Sequence, residues 1–195
     1  MDHDDSWGGG GSLRNASPTH RPTWTTSPRG QTYTEVLARI EAVLEGETDW
    51  VAAMASVVCE LHTGFGHYHW TGFYRHLGGD VLVIGPYQGG HGCLRIPYSR
   101  GVCGAAARTR TTQLVPDVHV FPGHIACASS TQSEIVVPVL APDGRVIAVL
   151  DVDSDLPDAF SAEDDQAALE RICAWLGARW ASEAPDAAQS DGSSR

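Results

Sequence analysis

The chain has 195 residues, 42% of them hydrophobic and 19% charged, which suits one domain with a core of its own. Its 13 Lys and Arg against 24 Asp and Glu leave a net charge of -11, which repels nucleic-acid phosphates and anionic membrane surfaces. No apolar run reaches the roughly 18 residues of a membrane span, and the start, MDHDDS, is acidic where a secretory signal is basic, so a cytoplasmic protein with neither a nucleic-acid nor a membrane partner is expected.

Residues 1–30, with WGGGGS and scattered Pro, Ser and Thr, lack hydrophobic periodicity and are expected to form a disordered N-terminal tail. The spacing then predicts a helix from Tyr33 to Leu44 and another from Asp49 to Leu61, with Val51, Met54, Val58 and Leu61 on one face. WTGFYRHL and DVLVIG, joined at Gly78-Gly79, read as a β-hairpin, and EIVVPVL and RVIAVLDVD, joined at Asp143-Gly144, as a second. Between them lies a long irregular middle with a short helix predicted from Val102 to Thr109, opened by Gly101. A last helix starts from the cap Ser161, with Asp164 three residues on, and runs through Leu169, Ile172 and Leu176. Residues 185–195 are expected to be a second disordered tail, leaving 31–184 as a single α+β domain whose helices cover an antiparallel sheet.

Five cysteines in a reducing compartment are poor material for a permanent disulfide framework. Cys173 shares the apolar stripe of the last helix, and Cys59 lies between Val58 and Leu61 on the second, so both are expected in the core. Cys93, Cys103 and Cys127 instead fall in the Gly-rich middle, where loops carry function more often than packing. Cys93, Cys103, His124 and Cys127 are all ligand types that zinc accepts, but they lack the short paired spacings of structural zinc sites. Redox chemistry is the stronger reading: one thiolate is oxidised to sulfenic acid and a second thiol condenses with it.

Carboxylates accompany them. Glu134 opens one strand, while Asp151 and Asp153 are two apart on another and share a face, along with Val149 and Ile147. A carboxyl among apolar groups has a raised pKa, as a proton donor at neutral pH requires; the alternative for Asp153 is a cap on the turn DSDLPDAF. Trp70 and Tyr74, four apart on a strand, also share a face and form an aromatic pair fit either for a core or for the wall of a small-molecule site.

In their order, WTGFY, GPYQG, CLRI, SRGVCGAAA, VPDVH, FPGHIAC, SEIVVP and VLDVDS make residues 33–180 resemble the free methionine-(R)-sulfoxide reductases, which are built on a GAF domain. The resemblance implies a six-stranded antiparallel sheet flanked by helices, and thiol-based reduction of free methionine (R)-sulfoxide with no metal and no bound cofactor. It implies Cys127 as the nucleophile, Cys93 or Cys103 as the resolving thiol, Glu134, Asp151 and Asp153 as substrate-site carboxylates, and Trp70 and Tyr74 as its aromatic wall. Thioredoxin, fed by NADPH, is the external reductant it implies, and a homodimer fits the frequent pairing of GAF domains. Two positions depart from the family pattern: Ala128 stands where Asp follows HIAC, and Ala148 where a Gly precedes the LDVDS strand end. A sensory GAF module binding a small ligand and a cysteine or zinc switch are the competing readings, since one fold hosts many functions.

Overall fold

A computed structural model of the protein describes residues 27–125 and 127–185. The expected tails fall outside these residues over 1–26 and 186–195. The first helix, α1 (Pro28–Val43), begins earlier than the apolar periodicity suggests, because Ser27 caps it by accepting from the Gly30 N–H and a proline occupies its first position. Helix α2 (Trp50–Gly64) follows, capped by Asp49. Its buried stripe is Trp50, Ala53, Met54, Val57, Val58 and Leu61, whereas Val51 is 49% exposed. Val51 fits the apolar spacing but sits in the first turn, outside the buried stripe.

The strands are β1 (Trp70–His76), β2 (Val81–Gln88), β3 (Arg95–Pro97), β4 (Gln113–Val115), β5 (Ser133–Leu140) and β6 (Val146–Ser154). They form one sheet in the order β3-β2-β1-β6-β5-β4, every neighbour antiparallel. Both hairpins read from the sequence are present, and β3 and β4, too short to show alternation, complete the edges. Helix α3 (Gly101–Thr109) lies between them in the chain, and α4 (Ala167–Arg179) follows a π-helical turn at Ala162–Gln166, with Ser161 accepting from the Asp164 N–H.

Alternation along the strands sends side chains to two separate cores. Phe73, Ile135, Val137, Leu150 and Val152 pack with α1, α2 and α4 on one face. Val136, Val149 and Tyr74 pack with Val102, Cys103 and Ala106 of α3 on the other. Ile147 departs from the predicted face: the register shifts between Val139 and Leu140, and the extra residue on β6 turns Ile147 into the first core beside Ala148. Cys173 is buried in that core as expected, but Cys59 is exposed on the outer side of α2. Adjacency to Val58 does not bury it, because consecutive helical residues point about 100° apart.

The end of the first core carries a polar clamp. Fully buried Asp165 accepts from Arg29 Nη1 at 2.5 Å, from the Tyr33 hydroxyl at 2.8 Å and from the Ser161 N–H at 2.8 Å, fixing the start of α1 against the start of α4. Helix α4 seats on the sheet through Gly177, where an added Cβ would lie 1.9 Å from the Leu140 carbonyl oxygen. Gly177→Ala is therefore expected to destabilise the fold by about 2 kcal/mol from overpacking, despite a helix-propensity gain of roughly 1 kcal/mol. Urea unfolding measures the balance, and a variant as stable as the parent would contradict this seating.

Candidate active site

Antiparallel register assembles the site on the α3 face of the sheet. Trp70 on β1 stands opposite Asp153 on β6, and Asp153 stands opposite Glu134 on β5. One row along, Gly72, Asp151 and Val136 are aligned in the same way. Each row is two residues from the next, so Trp70 and Tyr74, Asp151 and Asp153, and Glu134 project to the same side. Three carboxyls are thus brought together on neighbouring strands, an arrangement that repels itself when all are ionised.

Gly72 is what lets the aromatic wall lie over them. A Cβ there would come within 2.5 Å of both the Trp70 ring and the Tyr87 Cβ. Trp70 stacks between Tyr74, with ring centroids 5.7 Å apart, and Tyr87, at 5.4 Å. Its indole N–H donates to the Gly90 carbonyl at 3.1 Å, which ties the β2–β3 loop to the wall. In that loop Gly92 passes so close that a Cβ would sit 2.9 Å from Trp70 and 3.0 Å from the Tyr74 hydroxyl. Tyr87 was not singled out from the sequence; its place opposite Gly72 across the hairpin is a cross-strand relation that appears only once the register is known.

The next residue of the loop is Cys93, and it is disulfide-bonded to Cys127, with the Cα atoms 5.4 Å apart. Of the two thiols that could pair with Cys127, Cys93 is the one joined to it here. The bond links the β2–β3 loop to the segment before β5, across a cavity of about 30 Å³ lined by Trp70, Tyr74, Cys103, Glu134, Asp151 and Asp153 among others. Cys127 is exposed and Cys93 half-buried.

Cys103 is different in kind. It lies in the first turn of α3, within the short helix expected from Val102 to Thr109, which lays it over the carboxyls. Its thiol is 4% exposed and donates to Asp151 Oδ2 at 3.2 Å, with Glu134 Oε1 at 4.0 Å. Burial, and then the charges of Asp151 and Glu134, push its pKa well above the ordinary thiol value, so it stays protonated. The zinc set of Cys93, Cys103, His124 and Cys127 is therefore not assembled in this form, two of its thiols being spent on one bond.

Burial likewise raises the pKa of all three carboxyls. Glu134, buried and facing Asp151 and Asp153, is held well above the usual range. Asp153, half-buried, is also raised well above it, by burial and then by Asp151 and Asp155. Asp151 is pushed up only to about 6, because hydrogen bonds from Cys103 and Glu134 offset part of the burial effect. Asp151 Oδ1 is buried with no hydrogen-bond partner among the fixed donors, and a protonated Glu134 is the neighbour able to supply one. A neutral Glu134 beside an anionic Asp151 is thus the arrangement these environments favour near pH 7. His124 Nε2 lies 3.9 Å from Glu134 Oε2, and burial followed by His119 lowers its pKa, which keeps it neutral. Ala128 is exposed beside Cys127 and brings no charge to it.

No described helix is long and apolar enough to cross a membrane. The GAF domain family model matches residues 28–180. The free methionine-R-sulfoxide reductase of Escherichia coli is 40% identical over 148 residues, covering 73% of this chain and 88% of that protein. Among solved structures, the free methionine-R-sulfoxide reductase of Neisseria meningitidis in complex with its substrate superposes with a TM-score of 0.75 at 44% identity, covering 80% of this chain and 93% of that one. The reduced form of the Staphylococcus aureus enzyme gives a TM-score of 0.70 at 37% identity, covering 75% and 94%. Fold, site composition and relatives agree that this chain belongs to the GAF-domain family of free methionine-R-sulfoxide reductases.

Proposed function

We propose that the protein reduces free methionine (R)-sulfoxide to methionine, with Cys127 as nucleophile, Cys93 as the thiol that resolves it and thioredoxin as the reductant. The observation that carries this reading is the Cys93–Cys127 bond beside a buried cluster of three carboxyls and an aromatic wall.

In the reduced protein the Cys127 thiolate attacks the electrophilic sulfoxide sulfur while a neutral acid protonates its oxygen, which otherwise cannot leave. Oxygen passes to the thiol: the substrate sulfur gains two electrons, methionine departs, and Cys127 becomes a sulfenic acid. The Cys93 thiol then displaces water from that sulfenic acid and forms the disulfide. Thioredoxin, kept reduced by NADPH in the cytoplasm, takes the bond over by thiol–disulfide exchange and returns both cysteines to thiols.

Glu134 is the proton donor in this scheme. Its burial keeps it neutral at physiological pH, and His124, 3.9 Å away and the more exposed of the two, offers a route for a replacement proton. Asp151 remains ionised and holds the ammonium group that a free amino acid carries and a peptide-bound residue lacks. Asp153 completes the acidic lining. Trp70 and Tyr74 hold the methyl and methylene groups of the side chain. With the disulfide formed, the cavity of about 30 Å³ has room for a couple of water molecules.

The deciding experiment supplies purified protein with each epimer of free methionine sulfoxide, thioredoxin, thioredoxin reductase and NADPH. NADPH oxidation is expected with the R epimer and at background level with the S epimer. Equal rates with both, or none with either, would reject the assignment.

A further inference from the structure

We propose that Cys103, Glu134 and Asp151 form a binding site for one divalent cation of the zinc class, which closes the pocket to substrate while it is bound. One ligand atom from each of the three lies within 4.8 Å of the other two, and all three side chains are buried. A thiol and two carboxyls are a donor set that zinc accepts. Around a tetrahedral zinc, bonds of about 2.3 Å to sulfur and 2.0 Å to oxygen set sulfur and oxygen about 3.5 Å apart. Here Cys103 Sγ lies 3.2 Å from Asp151 Oδ2 and 4.0 Å from Glu134 Oε1, so small side-chain rotations bring all three onto one ion.

The surroundings point the same way. Among the described residues, no Lys or Arg lines the cavity to neutralise its three carboxyls. Asp151 lines the cavity, and its Oδ1 is a buried oxygen with no hydrogen-bond partner among the described residues. Asp153, His124 or water can fill the fourth position, His124 lying 3.9 Å from Glu134. The set differs from the four ligands weighed from the sequence, two of which are joined to each other. On binding, the ion displaces the protons that Cys103 and Glu134 carry. Only the closure of the pocket to substrate rests on the reductase reading; the binding itself does not.

The test is a titration of the purified, disulfide-intact protein with Cd2+, read by the sulfur-to-cadmium charge-transfer absorption. One equivalent is expected to saturate the band. Cys103→Ser should abolish it, and Asp151→Asn should weaken binding at least ~100-fold. Cys59→Ser should leave the band unchanged, since that thiol is exposed on α2, which packs on the face of the sheet opposite to α3. No band, or one that survives Cys103→Ser or is indifferent to Asp151→Asn, overturns the site. A single turnover of pre-reduced, desalted protein then separates binding from closure. With one equivalent of Zn2+, methionine formation is expected to fall at least ~10-fold and to return on chelation; undiminished formation with the site loaded overturns the closure.

Discussion

Cys127→Ser is expected to lower reduction of free methionine (R)-sulfoxide at least ~10³-fold, in steady state and in a single turnover alike. A serine hydroxyl at neutral pH is a far weaker nucleophile than a thiolate and gives no persistent sulfenic acid. Cys93→Ser should behave otherwise. It removes the thiol bonded to Cys127, not the attacking group, so one methionine per chain should still form and a sulfenic acid should accumulate, to be trapped by dimedone. Thioredoxin-driven turnover should collapse in that variant, because no disulfide is offered for exchange. Should Cys127→Ser retain the single-turnover burst while Cys93→Ser or Cys103→Ser loses it, the nucleophile has been misassigned.

The second large effect concerns stability and runs opposite to activity. Asp151→Asn is expected to stabilise the folded protein at pH 8 by roughly 1–3 kcal/mol, while reducing affinity for the substrate's ammonium group. The folded-state pKa of Asp151 is about 6 against an ordinary 3.8. A group raised in this way contributes stability that is fully present below its unfolded value and is lost as pH rises through its folded value. The parent should therefore lose stability between about pH 4 and pH 6, as the carboxyl is forced to ionise while buried away from water. Asparagine does not titrate and still offers an oxygen to the Cys103 thiol. Urea unfolding at pH 4 and pH 8 measures the difference, which should shrink towards zero at the lower pH. An equal difference at both would show that the carboxyl's charge is not what strains the site. A site that costs stability at the pH where it works is expected where a buried charge is kept for chemistry.

Much of this arrangement is legible in the sequence because the strands keep their alternation. The i, i+2 spacing of Asp151 and Asp153 and the i, i+4 spacing of Trp70 and Tyr74 place each pair on a common face whatever the neighbouring strands do. Register is another matter. That Glu134 stands opposite Asp153, and Tyr87 opposite Gly72, depends on how two hairpins pair through β1 and β6, a relation between segments up to about eighty residues apart. The bulge that turns Ile147 away from its predicted face is equally silent in the local pattern. Cys59 shows the converse failure: beside Val58 it looks buried, yet it is exposed, because the next residue along a helix turns to another face.

The sequence by itself determined the α+β class, the two hairpins, the family resemblance and the chemical inventory of the site: three thiols, three carboxyls and an aromatic pair. Only the tertiary structure decided how those groups divide their tasks. Cys93 and Cys103 look alike in the chain, each in a Gly-rich stretch, but the β2–β3 loop carries one to Cys127 while α3 buries the other against Asp151. Reactivity and ionisation are set by solvent exposure and by charges a few ångströms away, and those distances come from packing between distant segments rather than from residue type or spacing along the chain.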